Sequence, residues 1–129
     1  MEITELKPNE VFVFGSNIQG RHGRGAAKTA LQWGAVQGKG RGHFGQTYAI
    51  PTINWEPEYH FIGWVAVGIE LLLFSRYALK HPELTFYLTP IGTGLAGGTI
   101  EDLDKTVNSI GGWPDNVIFT WRNQNEVEV

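Results

Sequence analysis

Apolar residues fall into short runs that are separated by glycine-rich polar segments. The first run, Val11–Phe14, is β-prone and does not alternate with polar residues, which predicts a strand buried on both faces. Three further strands are predicted at Thr47–Ile50, which stops at Pro51, at Leu84–Thr89 and at Val117–Trp121. The segments between these strands are long enough to hold helices.

Apolar residues at helical spacing indicate three helices in these segments. The first is predicted over Gly25–Trp33 and a long second one from about Pro57 to Lys80. The third begins after Thr99, which forms a capping-box pattern with Asp102, and ends near Ser109. The buried face of the long helix is predicted to consist of its regularly spaced apolar residues: Ile62, Val65, Ile69, Leu72 and Leu73.

Strands that alternate with helices predict an α/β fold in which a mixed, mostly parallel sheet lies between helices, a three-layer α/β/α sandwich. A length of 129 residues suits one domain over the whole chain, residues 1–129. Two glycine-rich loops, 15–25 and 92–98, each follow a strand and precede a helix. Ligands bind beyond the carboxyl ends of strands in such sheets, so we expect both loops to border one cleft.

The charge distribution points to an anionic ligand in this cleft. The net charge is −3, yet all thirteen Asp and Glu residues lie outside residues 11–55. That stretch holds nine of the seventeen glycines and five of the ten cations: Arg21, Arg24, Lys28, Lys39 and Arg41. Glycine lets main-chain N–H groups approach a phosphate closely, and cations add attraction. The overall acidity argues against nucleic acid as the partner, since a polyphosphate backbone needs many cations.

Other classes of protein find little support in the composition. The absence of cysteine excludes disulfides and thiolate sites and fits a reducing compartment. The first residues, 1–5, lack the pattern of a signal peptide, and the longest apolar stretch, 61–74, is too short to cross a bilayer. We therefore expect a cytoplasmic protein without a membrane segment. Four scattered histidines without paired carboxylates predict no metal site, and no cofactor is predicted.

Each glycine-rich loop has a structural and a functional interpretation. In the first loop, Gly23 and Gly25 can free main-chain donors for a diphosphate, and Ala26 and Ala27 permit close approach; the alternative is a tight turn needed only for packing. In the second, four glycines within residues 92–98 suggest an anion-binding nest, the alternative being a flexible connection. The predicted convergence of the two loops favours the ligand.

The two motifs together resemble the macrodomain superfamily. The first is Gly-Arg-His-Gly-Arg-Gly-Ala-Ala after a strand that ends in Asn17, and the second is Ile-Gly-Thr-Gly-Leu-Ala-Gly-Gly before the third helix. The likeness is closest to the branch that holds ADP-ribose-1''-phosphate phosphatases and terminal ADP-ribose glycohydrolases, and it covers residues 11–103. It implies a macrodomain-like α/β/α sandwich that binds ADP-ribose, an ADP-ribose-like nucleotide, between the loops.

The resemblance also implies a set of ligand-binding residues. Asn17 matches the asparagine that approaches the distal ribose. Gly23, Gly25 and Ala26 match the first diphosphate loop, and five residues match the second: Gly92, Thr93, Gly94, Leu95 and Ala96. Gly15, Ser16 and Arg24, in the first loop, complete the set of predicted ligand-binding residues. Two positions depart from the glycohydrolase pattern. Arg24 stands where that branch has a lysine, and Ala96 where it has an aspartate. The aspartate that macrodomain de-ADP-ribosylases use in the first loop is also absent.

The candidate catalytic residues are Asn17, which can align a water molecule, and His22, the one loop residue able to transfer protons near neutral pH. The alternative for His22 is a surface loop histidine. Trp55 and Tyr48 are both candidates for stacking on adenine. Three functions are open: binding of ADP-ribose or a phosphorylated derivative with hydrolysis by a phosphatase or ADP-ribosyl hydrolase reaction, non-catalytic capture of a related signalling nucleotide, or, less favoured, binding of nucleic acid through the basic stretch 21–41.

Overall fold

The sheet is built around its central strand, β1 (Glu10–Asn17). In the computed structural model, which describes residues 1–122, β1 pairs in parallel with β3 (Thr47–Asn54) on one side and with β5 (Thr85–Leu88) on the other. Three short strands complete a six-stranded mixed sheet: β2 (Gly42–Phe44) and β4 (His60–Phe61), both antiparallel to β3, and β6 (Val117–Phe119), parallel to β5. The α/β class and the mixed sheet are confirmed.

Alternate residues of β1 belong to two separate apolar clusters, which explains why the whole run is apolar. Val11 and Val13 are buried in one cluster with residues of α2 (Trp64–Leu79) and α3 (Ile100–Ile110). Phe12 and Phe14 are buried in the other with Ala27 and Ala30 of α1 (Gly25–Ala30). Successive side chains of a strand point to opposite faces, so β1 supplies both clusters.

Two of the predicted strands are longer than expected and two are shorter, since β5 lacks Leu84 and Thr89 and β6 lacks Thr120 and Trp121. The first run continues from Phe14 to Asn17, and β3 continues past Pro51, where the sequence predicts an end. Strand β2 pairs with residues 47–49 of β3 and β4 with residues 53–54, so no short partner lies opposite Pro51 on that edge. The missing N–H of the proline therefore costs no hydrogen bond there, and the strand tolerates it.

Two predicted regions differ from the prediction in their secondary structure. The second glycine-rich segment, residues 38–46, contains β2 and is not a loop throughout. The predicted helix over Gly25–Trp33 is a six-residue α-helix followed by a tighter turn over Leu31–Trp33, and it ends at Gly34 as predicted. Since α1 is so short, its dipole is a weak source of positive potential, and the main-chain N–H groups of the loop matter more.

The long helix begins seven residues later than predicted, at Trp64 in place of Pro57. The intervening residues include β4, which pairs with β3, and Gly63, whose φ of +93° is incompatible with a helix. By contrast, α3 agrees with its prediction. The Thr99 hydroxyl accepts a hydrogen bond from the N–H of Asp102 at 3.1 Å, and the helix ends at Ile110, one residue beyond the expected Ser109.

The predicted buried face of the long helix is wrong. Val65, Ile69, Leu72 and Leu73 are exposed, by 39% to 84%, and Ile62 lies before the helix and is partly buried. The residues that fill the core are instead Val67, Leu71, Phe74, Ser75 and Ala78. The helix is apolar around most of its circumference, so spacing alone selects no face. Within residues 1–122, no helix is long and apolar enough to cross a membrane.

Candidate functional site

A cavity of about 810 Å³ lies between the two glycine-rich loops, beyond the carboxyl ends of β1 and β5. The loops are in close contact at its base, where a Cβ added to Gly15 would lie 3.4 Å from the Cβ of Ile91. Adjacent parallel strands end at the same edge of a sheet, which is why the sequence order brings these loops together. The predicted juxtaposition of loops 15–25 and 92–98 is confirmed.

All twelve residues predicted to bind ligand border this cavity: Gly15, Ser16, Asn17, Gly23, Arg24, Gly25, Ala26, Gly92, Thr93, Gly94, Leu95 and Ala96. Their contact with a ligand stays a prediction. The remaining wall comprises Arg21, Ala27, Thr52, Ile53, Trp55, Tyr59, Thr89, Pro90 and Ile91. Arg21, Ala27 and Trp55 were candidates from the sequence, and the other six were not foreseen. Most of these residues belong to β3 or follow β3 or β5 in the chain. The glycine pattern of the loops does not predict which residues of these segments reach the cavity.

The first loop presents a row of free main-chain donors to the cavity. Within the described residues, the N–H groups of residues 23–27 donate to no protein acceptor. The last three belong to the first turn of α1, which has no intrahelical partners, and the side chain of Arg24 provides no cap. Five consecutive free donors beside the cavity suit an anion.

The second loop also carries a row of free main-chain donors. In the described part of the chain, no protein acceptor receives the N–H groups of residues 92–96. The loop is folded back on itself by two hydrogen bonds, from the N–H of Gly97 to the carbonyl of Gly94 at 3.0 Å and from the N–H of Gly98 to the carbonyl of Gly92 at 2.8 Å. These bonds occupy two carbonyl groups and leave the donors available to an anion.

The side-chain hydroxyls on the cavity wall are already used as donors. Each donates its proton to a main-chain carbonyl: Ser16 to Gly40, Thr52 to Ser16, Tyr59 to Leu95, Thr89 to Val13 and Thr93 to Pro90. Toward a ligand these hydroxyls can therefore only accept hydrogen bonds. Donors for an anionic ligand come from the main chain and from the two arginines, Arg21 and Arg24.

Asn17 borders the cavity, but its amide is engaged in holding the first loop. Its Nδ2 donates to the carbonyl of Arg21 at 2.7 Å, and its Oδ1 accepts from the N–H of Arg21 at 2.8 Å. The side chain is 7% exposed. One N–H and one lone pair remain for a ligand or a water molecule. Asn17 therefore shapes the turn first, and alignment of water by it stays a prediction.

His22 is not placed as its predicted role requires. The residue is 1% exposed and does not border the cavity. Its ring packs edge-on against Phe14, its Nε2 lies 3.1 Å from the carbonyl of Lys39, and its Nδ1 has no partner among the described residues. This position does not support an acid–base role for His22. The alternative, a surface histidine, is also wrong.

The cavity mouth carries aromatic and cationic groups but no acid. The guanidinium of Arg21 lies 5.6 Å from the ring centre of Trp55, which meets the ring of Tyr59 edge-on at 4.7 Å. Neither Arg21 nor Arg24 forms an ion pair within residues 1–122. Of the two candidates for adenine stacking, Trp55 borders the cavity, whereas Tyr48 is buried against Phe74.

The wall contains no carboxylate, imidazole or amine among the described residues. Within the same residues no group of three or more His, Asp or Glu side chains is placed to hold a metal ion. Comparison of the chain with known protein families, curated proteins and solved structures finds no match. The function of the protein is therefore inferred from the geometry of this cavity.

Proposed function

We propose that this protein binds ADP-ribose or a phosphorylated ADP-ribose derivative in the cavity between its two glycine-rich loops. The observation that carries the proposal is that two rows of free main-chain donors, residues 23–27 and 92–96, border one cavity whose described wall has no acid. Two adjacent donor rows suit two linked phosphate groups, since each phosphate presents several acceptor oxygens. The proposal includes a macrodomain-like α/β/α sandwich, which the two apolar clusters fed by β1 favour.

The rest of the cavity suits the organic parts of such a nucleotide. Its volume of about 810 Å³ lies within the range of sites for molecules of this size. Trp55 offers a flat apolar face to adenine. The hydroxyls of Thr52 and Thr93 offer acceptors to ribose hydroxyls, because their own protons are used elsewhere. Arg21 and Arg24 balance a charge of about −2 on the ligand.

Capture without turnover is the better supported mode of action. Hydrolysis needs a group that transfers protons or attacks the substrate, and the described wall offers no carboxylate, imidazole or amine for this role. Arg24 and Ala96 occupy the two positions at which the resembling glycohydrolases carry lysine and aspartate. Arginine stays protonated and is a poor nucleophile. We therefore propose a module that captures an ADP-ribose-related nucleotide.

A ligand series tests the binding mode. Calorimetric titration with ADP-ribose, ADP and AMP is expected to show that loss of one phosphate weakens binding at least ~10-fold, since one donor row then loses its partner. Similar affinities for ADP and AMP would contradict the role of the two loops. Incubation of ADP-ribose-1''-phosphate with the protein, followed by a phosphate assay, tests capture: release of phosphate at an enzymatic rate would show hydrolysis.

A further inference from the structure

Four cations of the acid-free stretch lie on or near the first glycine-rich loop, and we call them the cationic shelf: Arg21, Arg24, Lys28 and Lys39. All four are exposed, and none forms an ion pair in the described part of the chain. The fifth cation of the acid-free stretch differs from them. Arg41 is bound by Glu70 through contacts of 2.6 and 3.0 Å, and this carboxylate raises the pKa of Arg41. No ion pair in the described part of the chain therefore neutralises the charge of the shelf.

The backbone holds the members of the shelf together. The N–H of Gly38 donates to the carbonyl of Gly20 at 2.9 Å, and His22 joins the same two segments through its ring contact with the carbonyl of Lys39. These contacts place Lys39 next to the turn that carries Arg21. Lys28 lies on α1 and donates its N–H to the carbonyl of Arg24, the residue directly before this helix.

Such an arrangement is unfavourable without an anion. Like charges on neighbouring segments repel one another, and residues 11–55 hold no acid to offset them. The acids that flank this stretch in the chain, Glu10 and Glu56, form no ion pair with the shelf. The cavity holds the charge of one diphosphate, which accounts for Arg21 and Arg24 but not for Lys28 and Lys39, which do not border it. The two lysines are therefore available to further phosphates.

We propose that the cationic shelf binds the phosphate backbone of a single-stranded nucleic acid. Shelf and cavity share Arg21 and Arg24, so a strand on the shelf can place a terminal or modified nucleotide in the cavity; this second step rests on the proposed function. Two observations favour nucleic acid over an acidic protein. Trp55, with Arg21 beside its ring, provides a flat surface for a base, and the exposed side chains of Ile18 and Val36 add apolar contacts. The net charge of −3 is no obstacle, because the acids lie elsewhere.

Salt-dependent binding of a fluorescein-labelled oligothymidylate, followed by fluorescence anisotropy, tests this proposal. In the double variant Lys28→Gln, Lys39→Gln, the affinity at low salt is expected to fall at least ~10-fold, and the slope of log K against log salt to become shallower by about 1.4, as for two lost phosphate contacts. The matched control Arg76→Gln, Lys80→Gln removes two exposed cations of the segment 64–80, which packs against the other cluster. It is expected to bind as the wild type does.

Several results would overturn the proposal: no binding of the oligonucleotide by the wild type, an equal loss in the control variant, or equally tight binding of a polyglutamate peptide, which would indicate an acidic protein partner. Titration of the same variants with ADP-ribose separates this proposal from the proposed function. Oligonucleotide binding that depends on the shelf, without ADP-ribose binding, would support the shelf and contradict the nucleotide site. ADP-ribose binding without oligonucleotide binding would support the nucleotide site and contradict the shelf.

Discussion

The phenolic hydroxyl of Tyr59 donates a hydrogen bond of 2.6 Å to the main-chain carbonyl of Leu95. Tyr59 follows β3, and Leu95 lies in the second glycine-rich loop, so this bond joins two sides of the cavity that are 36 residues apart in the chain. Both residues are exposed, by 42% and 56%. The contact therefore contributes little to the core and fixes the position of the loop over the cavity.

Removal of this bond is expected to weaken ligand binding. Tyr59→Phe keeps the ring against Trp55 and loses only the hydroxyl, which is worth ~0.5–1.5 kcal/mol and predicts a two- to tenfold fall in ADP-ribose affinity. Calorimetry measures the affinity, and thermal unfolding is expected to remain near the wild-type midpoint. An unchanged affinity would mean that the bond does not position the loop.

Two glycines of the second loop provide a matched test of ligand contact. A Cβ at Gly94 meets no protein atom within 4 Å, so Gly94→Val is expected to preserve the circular dichroism spectrum and to abolish nucleotide binding by filling the space of the ligand. A Cβ at Gly98 would lie 2.6 Å from the carbonyl of Gly92 and from the ring of Trp64, so Gly98→Val is expected to destabilise the fold. Retained affinity in Gly94→Val would mean that the loop only connects two elements and does not contact the ligand.

His22 is expected to contribute to stability. His22→Ala removes a ring that is 1% exposed and packed against Phe14, and the cavity left behind costs about 2–3 kcal/mol of unfolding free energy. Urea denaturation measures this loss. The control His60→Ala changes an exposed histidine and is expected to unfold as the wild type does. A variant of wild-type stability that loses a measured turnover would instead restore the acid–base role predicted from the sequence.

The pH dependence of stability has a defined source in Glu10 and Tyr87. The Tyr87 hydroxyl donates to Glu10 at 2.5 Å, which lowers the pKa of Glu10 below 4.5 and raises the pKa of Tyr87 above 10.0. A lowered carboxyl pKa stabilises the fold above 4.5, and this contribution is lost as the pH falls through the folded value. A raised phenol pKa stabilises the fold below 10.0 and is lost as the pH rises.

Tyr87→Phe is therefore expected to lower the unfolding free energy most between these limits and progressively less beyond them. Urea unfolding over a range of pH measures the difference from the wild type. Tyr59→Phe is the control at the acidic end of the range, because its hydroxyl bonds a main-chain carbonyl in place of a carboxylate. A difference that does not vary with pH would show that the bond between Tyr87 and Glu10 does not govern these pKa values.

The sequence was sufficient to predict the elements that carry the site. The unbroken apolar run at Val11–Phe14 indicated a strand buried on both faces, and the order of strand, loop and helix placed both glycine-rich loops at one edge of the sheet. Both expectations depend on local patterns. The helix α2 shows where such patterns fail: it is apolar on nearly every side, so only the packing of the sheet decides that Leu71 is buried and Leu73 exposed.

The composition of the cavity wall was harder to foresee. Trp55 and Tyr59 reach the cavity because β3 continues past Pro51, and the sequence favours an end at that proline. The burial of His22 depends on a close approach between two loop segments. A Cβ at Gly20 would lie 2.4 Å from the N of Lys39, so glycine is needed there, but a glycine in a loop does not reveal what it contacts. Long-range approaches of this kind leave no local signal.

Titration of the wild-type protein with ADP-ribose in a calorimeter tests the central claim most directly. Two rows of free main-chain donors that border one cavity, on a described wall without an acid, predict saturable binding to one site per chain. The same titration with Gly94→Val is expected to give no binding heat. Absence of binding by the wild type at millimolar ADP-ribose would contradict the account, as would binding that Gly94→Val leaves unchanged.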